Sequence, residues 1–241
     1  MNKFLIGLKD ISLAIVGGFM ITSSAYAGSS VYYGIQLDEL EYRFGDTGDE
    51  ITAWSSNVFV GPDELKIHWA SEAEYATKES SFEKLENQIL LQKPISDFFD
   101  LHGGVRFDSP KGPDRWYGVV GVSGIAPQWI DVDANFFLSE KGDASLRLDT
   151  EYELLITNKL ILTPTLEINY AFSEDAEIGS GTGLNDAELG MRLSYDILDR
   201  AISPFMGVLY EHKFGDTADF SKEENSDTKG WSFLVGTKLL F

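Results

Sequence analysis

The chain has no cysteine among its 241 residues. That excludes disulfides, thiolate zinc sites, iron–sulfur clusters and thiol catalysis together. Proline is sparse, at 7 residues, and only 19 basic side chains stand against 39 acidic ones, a formal charge of −20. A chain this acidic does not hold nucleic acid by neutralising phosphates, so nucleic acid is excluded as a partner. Cations, or lipid head groups bridged by cations, are what it would attract. Beyond residue 28 no apolar run approaches the roughly 18 residues that a spanning helix needs. Packing and backbone hydrogen bonding are then left to supply the stability of an exported chain.

Export is read from the first residues. Lys3 and Lys9 accompany the apolar run at 11–21 (ISLAIVGGFMI), and Ala25-Tyr26-Ala27 offers a signal peptidase its small-x-small pattern. Residues 1–27 are expected to be a cleaved signal peptide and residues 28–241 a single domain. Loss of Lys3, Lys9 and Asp10 moves the formal charge from −20 to −21.

What the remainder has in abundance is alternation with period two. Across 146–156, Leu146, Leu148, Thr150, Tyr152, Leu154 and Ile156 share one face, and Arg147, Asp149, Glu151 and Glu153 the other. Leu162, Leu166, Ile168, Tyr170 and Phe172 oppose Thr163, Thr165, Glu167 and Asn169. Leu189, Met191, Leu193, Tyr195 and Ile197 oppose Asp186, Glu188, Arg192 and Asp196. Read throughout, the pattern predicts about twelve strands, at 31–43, 50–60, 64–74, 82–93, 97–108, 115–125, 128–139, 144–157, 160–172, 184–197, 202–214 and 229–241. The stretch 31–60 alternates least clearly. Tight turns such as Gly61-Pro62-Asp63 and Thr157-Asn158-Lys159 alternate with more polar links, including Ser173–Gly183 and Gly215–Thr228.

Segments this long, each with a charged face, predict an all-β fold: a transmembrane, up-and-down antiparallel β-barrel of about twelve strands in a bacterial outer membrane. Lipid offers no partner to a free N–H or C=O, so the strands must close. The alternation Trp231, Phe233, Val235, Thr237, Leu239, Phe241 resembles the terminal assembly signal of outer-membrane proteins. A monomer is expected, with the lipid bilayer and lipopolysaccharide around its apolar face.

Several segments, in order, resemble the outer-membrane copper resistance protein B family. They are Phe99-Asp100-Leu101 with Gly104-Val105-Arg106, then Gly124–Trp129 (GIAPQW) and Leu148–Ile161 (LDTEYELLITNKLI). The densest is Ile178–Leu193 (IGSGTGLNDAELGMRL), followed by Ser203-Pro204-Phe205 and Lys213–Asp219 (KFGDTAD). The likeness runs from about Leu65 to Phe241. It implies a barrel serving copper tolerance, with copper ions bound or passed at the outer membrane. Many members carry a Met- and His-rich segment ahead of the barrel. Here no Met or His lies between residues 28 and 67, so any copper site is expected inside the barrel.

Copper(I) favours sulfur ligands and copper(II) favours imidazole and oxygen. Parity puts Met191 and Met206 on the lipid face and His212 at the outer rim. His68 and His102 face the lumen near the periplasmic end, with Gln88 expected between them, and with Asp100 they form the candidate metal site. A hydrogen-bonded lumen network is the competing reading of the same residues. The expected lumen charge network is centred on Arg147, Glu151, Glu167, Glu188, Arg192 and Glu211; its excess of acids attracts cations, and its arginines anchor carboxylates. No His-x-Ser pair shares a face, since His68 precedes Trp69-Ala70, His102 precedes Gly103-Gly104 and His212 precedes Lys213-Phe214. An enzyme is not expected. The function expected is cation binding or passage in copper homeostasis, against a structural or adhesive barrel without transport.

Overall fold

The computed structural model describes residues 30–109, 112–198, 200–224 and 226–241. The expected signal peptide lies outside the described residues. The strands are β1 (Tyr32–Gly45), β2 (Glu50–Gly61), β3 (Lys66–Ala76), β4 (Ser81–Pro94), β5 (Phe99–Asp108) and β6 (Arg115–Ala126). Then follow β7 (Ile130–Ser139), β8 (Ala144–Tyr152) with its two-residue continuation β9 (Leu154–Leu155), β10 (Leu160–Ala171), β11 (Gly183–Tyr195), β12 (Ile202–Lys213) and β13 (Lys229–Leu240). Each stave pairs antiparallel with its neighbours in sequence, and β1 pairs with β13. Counting β8 and β9 as one stave, the sheet is a closed barrel of twelve.

Closure decides which side chains go where. Along β11, Leu189, Met191 and Tyr195 point outward and are about half exposed, whereas Gly190, Arg192 and Ser194 point inward and are buried. The same alternation exposes Leu146 and Leu148 on β8, and Trp231, Phe233 and Val235 on β13. The outer wall is therefore an apolar belt and the interior is polar, the reverse of a soluble globule. One apolar wedge enters the bore: Phe205, Leu209 and Leu234, the last only 1% exposed.

A bulge breaks the alternation of β1, within the stretch that reads least clearly, and a second breaks that of β4. The register of β1 against β2 slips between Leu37 and Glu39, leaving Asp38 as the extra residue. Outward positions are odd before it, as at Tyr33 and Ile35, and even after it, as at Leu40 and Phe44. On β4 the register slips around Glu83, and parity changes between outward Phe82 and inward Glu86. A bulge adds one residue to one strand, so it shifts every later side chain to the other face.

The links at one end, here the turn end, are short: 62–65, 95–98, 127–129, 156–159 and 196–201. At the other, the loop end, 172–182 and 214–228 are long while 46–49 and 77–80 are as short as the turns. The contrast between ends thus rests on two links. Both carry structure that alternation did not reveal: a 3-10 turn at Ala176–Ile178 and a helix, α1 (Gly215–Glu223). The helix forms because Thr217 and Ala218 find a buried seat against the barrel rim, where Thr217 Oγ1 accepts from the Gly181 N–H at 2.9 Å.

A charge on the lipid side should cost more the deeper it sits. Leu189→Arg, at mid-β11, is expected to destabilise the barrel by about 2–4 kcal/mol, and Leu184→Arg, at the loop-end start of that strand, by about 1 kcal/mol or less. Denaturant unfolding in lipid vesicles measures both.

Candidate functional site: a carboxylate-lined lumen

The bore holds a cavity of about 780 Å³. Among the described residues, fifteen carboxylate side chains line it against six lysines and arginines. Their order follows from the registers. Asp133 stands opposite Asp149, Asp149 opposite Glu167, Glu167 opposite Glu188 and Glu188 opposite Glu211. Five consecutive staves therefore present carboxylates to the interior in one row, with neighbouring strands about 5 Å apart. Toward the turn end the row runs on through Ser123 to Asp100. Rows of paired residues climb a tilted barrel. Asp100 is the second residue of a strand starting at the turn end, and Glu211 lies two residues short of the loop end of β12. The row spirals from one mouth to the other.

Like charges opposite each other on a sheet are destabilising, and the row is only partly relieved. Asn169 donates to Glu167 at 2.7 Å and to Asp186 at 2.8 Å, and Arg147 lies 3.5 Å from Glu167. Asn135 donates to Asp133 at 2.9 Å, and Lys213 lies 3.6 Å from Glu211. Among the described residues, Asp149 and Glu188 have neither a hydrogen-bond nor an ion-pair partner.

Apart from the Arg147 contact with Glu167, the arginines of the bore are engaged in two braces across it. Glu86 on β4 accepts from Arg147 on β8 at 2.9 and 3.0 Å and from Arg106 on β5 at 2.8 Å. Glu41 on β1 accepts from Arg43 at 2.6 Å and from Arg192 on β11 at 3.1 Å. Inward-facing rings flank the guanidinium groups: Arg106 lies 4.5 Å from the Phe137 centroid and 5.1 Å from Tyr117, and Arg192 lies 5.9 Å from Phe205. A guanidinium both paired and stacked has little charge left to offer a passing anion.

All six residues of the expected network face the cavity. Glu167 and Arg147 meet directly; Arg192 turns to Glu39 at 2.8 Å and to Glu41, Glu151 meets Lys238 at 3.2 Å, and Glu188 stands in the row between Glu167 and Glu211. Glu153, expected in the lumen, sits where the strand breaks between β8 and β9 and pairs with the exposed Arg200 at 2.8 Å.

His68 and His102 both point inward near the turn end, but their partners differ. His68 Nδ1 lies 3.1 Å from Asn57 Oδ1, and its ring stacks on Phe59. His102 Nε2 lies 2.6 Å from Asn135 Oδ1 and 3.7 Å from Asp133. Asp100 accepts from Gln92 at 2.5 Å. Leu90 and Gln92, rather than Gln88, occupy the stave between the histidines; Gln88 stands opposite Arg106. Among the described residues no group of three or more His, Asp or Glu side chains is assembled to hold a metal ion. The His102–Asn135 contact spans β6 at Gly121, where a Cβ would come 2.3 Å from His102 Nε2 and 2.4 Å from Asn135 Oδ1. Glycine is there because two side chains meet above its backbone.

Alternation alone did not find Glu41, Arg43 and Glu86, the centres of the two braces, because bulges at Asp38 and Glu83 shift parity ahead of them. The register slip itself leaves no sequence signal beyond the irregular alternation.

Comparison with known proteins adds a family to this geometry. The model of the copper resistance protein B precursor (CopB) family matches residues 31–241. Copper resistance protein B of Escherichia coli is 36% identical over 213 residues, covering 88% of this chain and 71% of that protein. A copper resistance protein B homolog of Pseudomonas syringae pv. tomato is 33% identical over 204 residues, covering 85% and 68% respectively. Among solved structures, the KdgM porin matches with a TM-score of 0.50 at 13% identity, over 86% of this chain and 99% of its own. The NanC porin matches with a TM-score of 0.50 at 11% identity over the same shares. At these identities the porins share the fold alone; with the copper resistance relatives they point to a bacterial outer membrane.

The braces should dominate the stability of the interior. Glu86→Gln leaves Arg147 and Arg106 in a buried bore without their shared anion, and a loss of about 3–5 kcal/mol is expected, read from denaturant unfolding in vesicles. Gly121→Ala should separate His102 from Asn135, seen as a changed His102 imidazole resonance with the β-sheet circular dichroism retained.

Proposed function

The chain belongs to the copper resistance protein B family, and we propose that its lumen passes cations, copper among them, through the outer membrane along the carboxylate row. The observation that carries this reading is the row itself: Asp133, Asp149, Glu167, Glu188 and Glu211 on adjacent staves, with Asp149 and Glu188 making no hydrogen bond or ion pair among the described residues while the arginines are paired across the bore. Carboxylates about one strand spacing apart let an ion exchange one oxygen partner for the next without crossing a dry gap. Several weak positions in series favour passage over capture, because an ion that binds too tightly does not leave.

Donor chemistry bears on the copper species. The row offers oxygen, which suits copper(II) better than copper(I). The two methionines of the barrel, Met191 and Met206, point to the lipid side and are 47% and 64% exposed. In this arrangement the turn end faces the periplasm and the loop end the exterior, as short turns and long links do in such barrels.

Reversal potentials across planar bilayers in a potassium chloride gradient test the reading. The wild-type barrel is expected to favour potassium over chloride, and Asp149→Asn with Glu188→Gln to lower that preference several-fold. Vesicles loaded with a copper(II)-quenched dye supply the second readout. No quenching above protein-free vesicles would favour a structural barrel without transport.

A further inference from the structure

The link 172–182 does not stand away from the barrel. It turns over the loop-end mouth, so that Ile178 and Ser180 line the same cavity as the carboxylate row. This link leaves β10 and returns to β11, yet it is pinned at β6, well around the rim. Arg115, the first residue of β6, donates from Nε to Asp175 at 3.0 Å and from Nη2 to Glu177 at 2.6 Å. Lys141, in the link between β7 and β8, also donates to Glu177. Arg115 and Asp175 are buried, at 3% and 8% exposure, so this pair is shielded from screening in a way that surface pairs are not.

On its other side the link meets α1. The Gly181 N–H donates to Thr217 Oγ1 at 2.9 Å, and a Cβ at Gly181 would lie 2.5 Å from the Thr217 nitrogen. At Gly112 a Cβ would lie 2.6 Å from the Glu177 carbonyl oxygen. Gly179 (φ 69°), between the anchors, and Gly183 (φ 99°), just past Gly181 where β11 begins, adopt left-handed backbone, the conformation that glycine enters and leaves at least cost. The segment thus has two hinges, a side-chain latch, and a tip inside the conduit.

We infer that residues 172–182 form a lid over the loop-end mouth, latched by Arg115 to Asp175 and Glu177, and that cutting the latch widens access to the lumen. Lys141 and Arg115, donating to it, hold the Glu177 carboxyl down at about 2. A carboxyl lowered in this way keeps its contribution above its ordinary value and loses it only as pH falls through about 2. Ordinary acidification therefore leaves Glu177 charged.

The lid rests on the reading of the lumen as a conduit, and single-channel conductance separates the two. Arg115→Gln and Glu177→Gln are expected to raise conductance in potassium chloride at least two-fold over the wild-type barrel. Should Arg115→Gln fail to fold, Asp175→Asn with Glu177→Gln replaces it, removing both carboxylates of the latch, with the same rise in conductance expected. Equal conductance across the whole set, with cation preference intact, overturns the lid and leaves the conduit standing. Channels that widen on release but pass chloride as readily as potassium support the lid and sink the cation reading. Silence in every variant overturns both.

Discussion

A sheet surrounded by hydrocarbon has to satisfy each of its backbone N–H and C=O groups within itself, and the rest of this structure follows from that constraint. An open edge would leave a row of unpaired groups in a solvent that offers no partner. Pairing β1 with β13 removes the edge. Once the sheet is closed it has an inside, and period-two alternation sorts side chains between lipid and bore. The apolar belt, the acidic lumen and the two mouths are consequences of closure and of alternation together.

The bore then faces an electrostatic difficulty of its own. It encloses many charges in a small volume, and an unpaired charge away from bulk water is costly. Two carboxylates, Glu41 and Glu86, each bridge two arginines across the opening. These braces join strands that are not neighbours, β4 to β8 four staves apart and β1 to β11 three staves apart around the closure, and so stiffen the cross-section. They also consume the positive charge. What is left over is the carboxylate row of β7, β8, β10, β11 and β12, only partly relieved by Asn135, Asn169, Arg147 and Lys213, where like-charged neighbours repel one another. Stability comes from this unequal distribution of paired arginines and surplus carboxylates, and the cation preference proposed for the lumen rests on it too.

Much of the fold was legible in the sequence, and the exceptions have physical causes. The strands expected at 144–157, 160–172 and 184–197 end within two residues of those observed, the first with a break at Glu153, because their alternating apolar faces meet lipid. Arg147, Glu151, Glu167, Glu188, Arg192 and Glu211 were placed in the lumen by parity and face the cavity. Parity failed before Glu41, Arg43 and Glu86, where a single extra residue in β1 or β4 shifts the face. It also could not foresee that Glu86 meets Arg147, since a pairing across the bore depends on barrel curvature and leaves no local pattern. The helix at Gly215–Glu223 escaped notice because its stability comes from docking on the rim, with Thr217 and Ala218 buried, and not from an apolar stripe of its own.

The absence of any native cysteine makes the central claim directly measurable, because each introduced thiol is the only one in the chain. Single variants along β11, Glu188→Cys, Leu189→Cys, Met191→Cys and Arg192→Cys, reconstituted in lipid, would be timed for modification by water-soluble thiol reagents of either charge. The account predicts rapid modification at 188 and 192, protection at 189 and 191, and a faster reaction at 188 with the cationic reagent than with the anionic one. Equal rates at all four positions, or protection at 188 and 192 with reaction at 189 and 191, would contradict it.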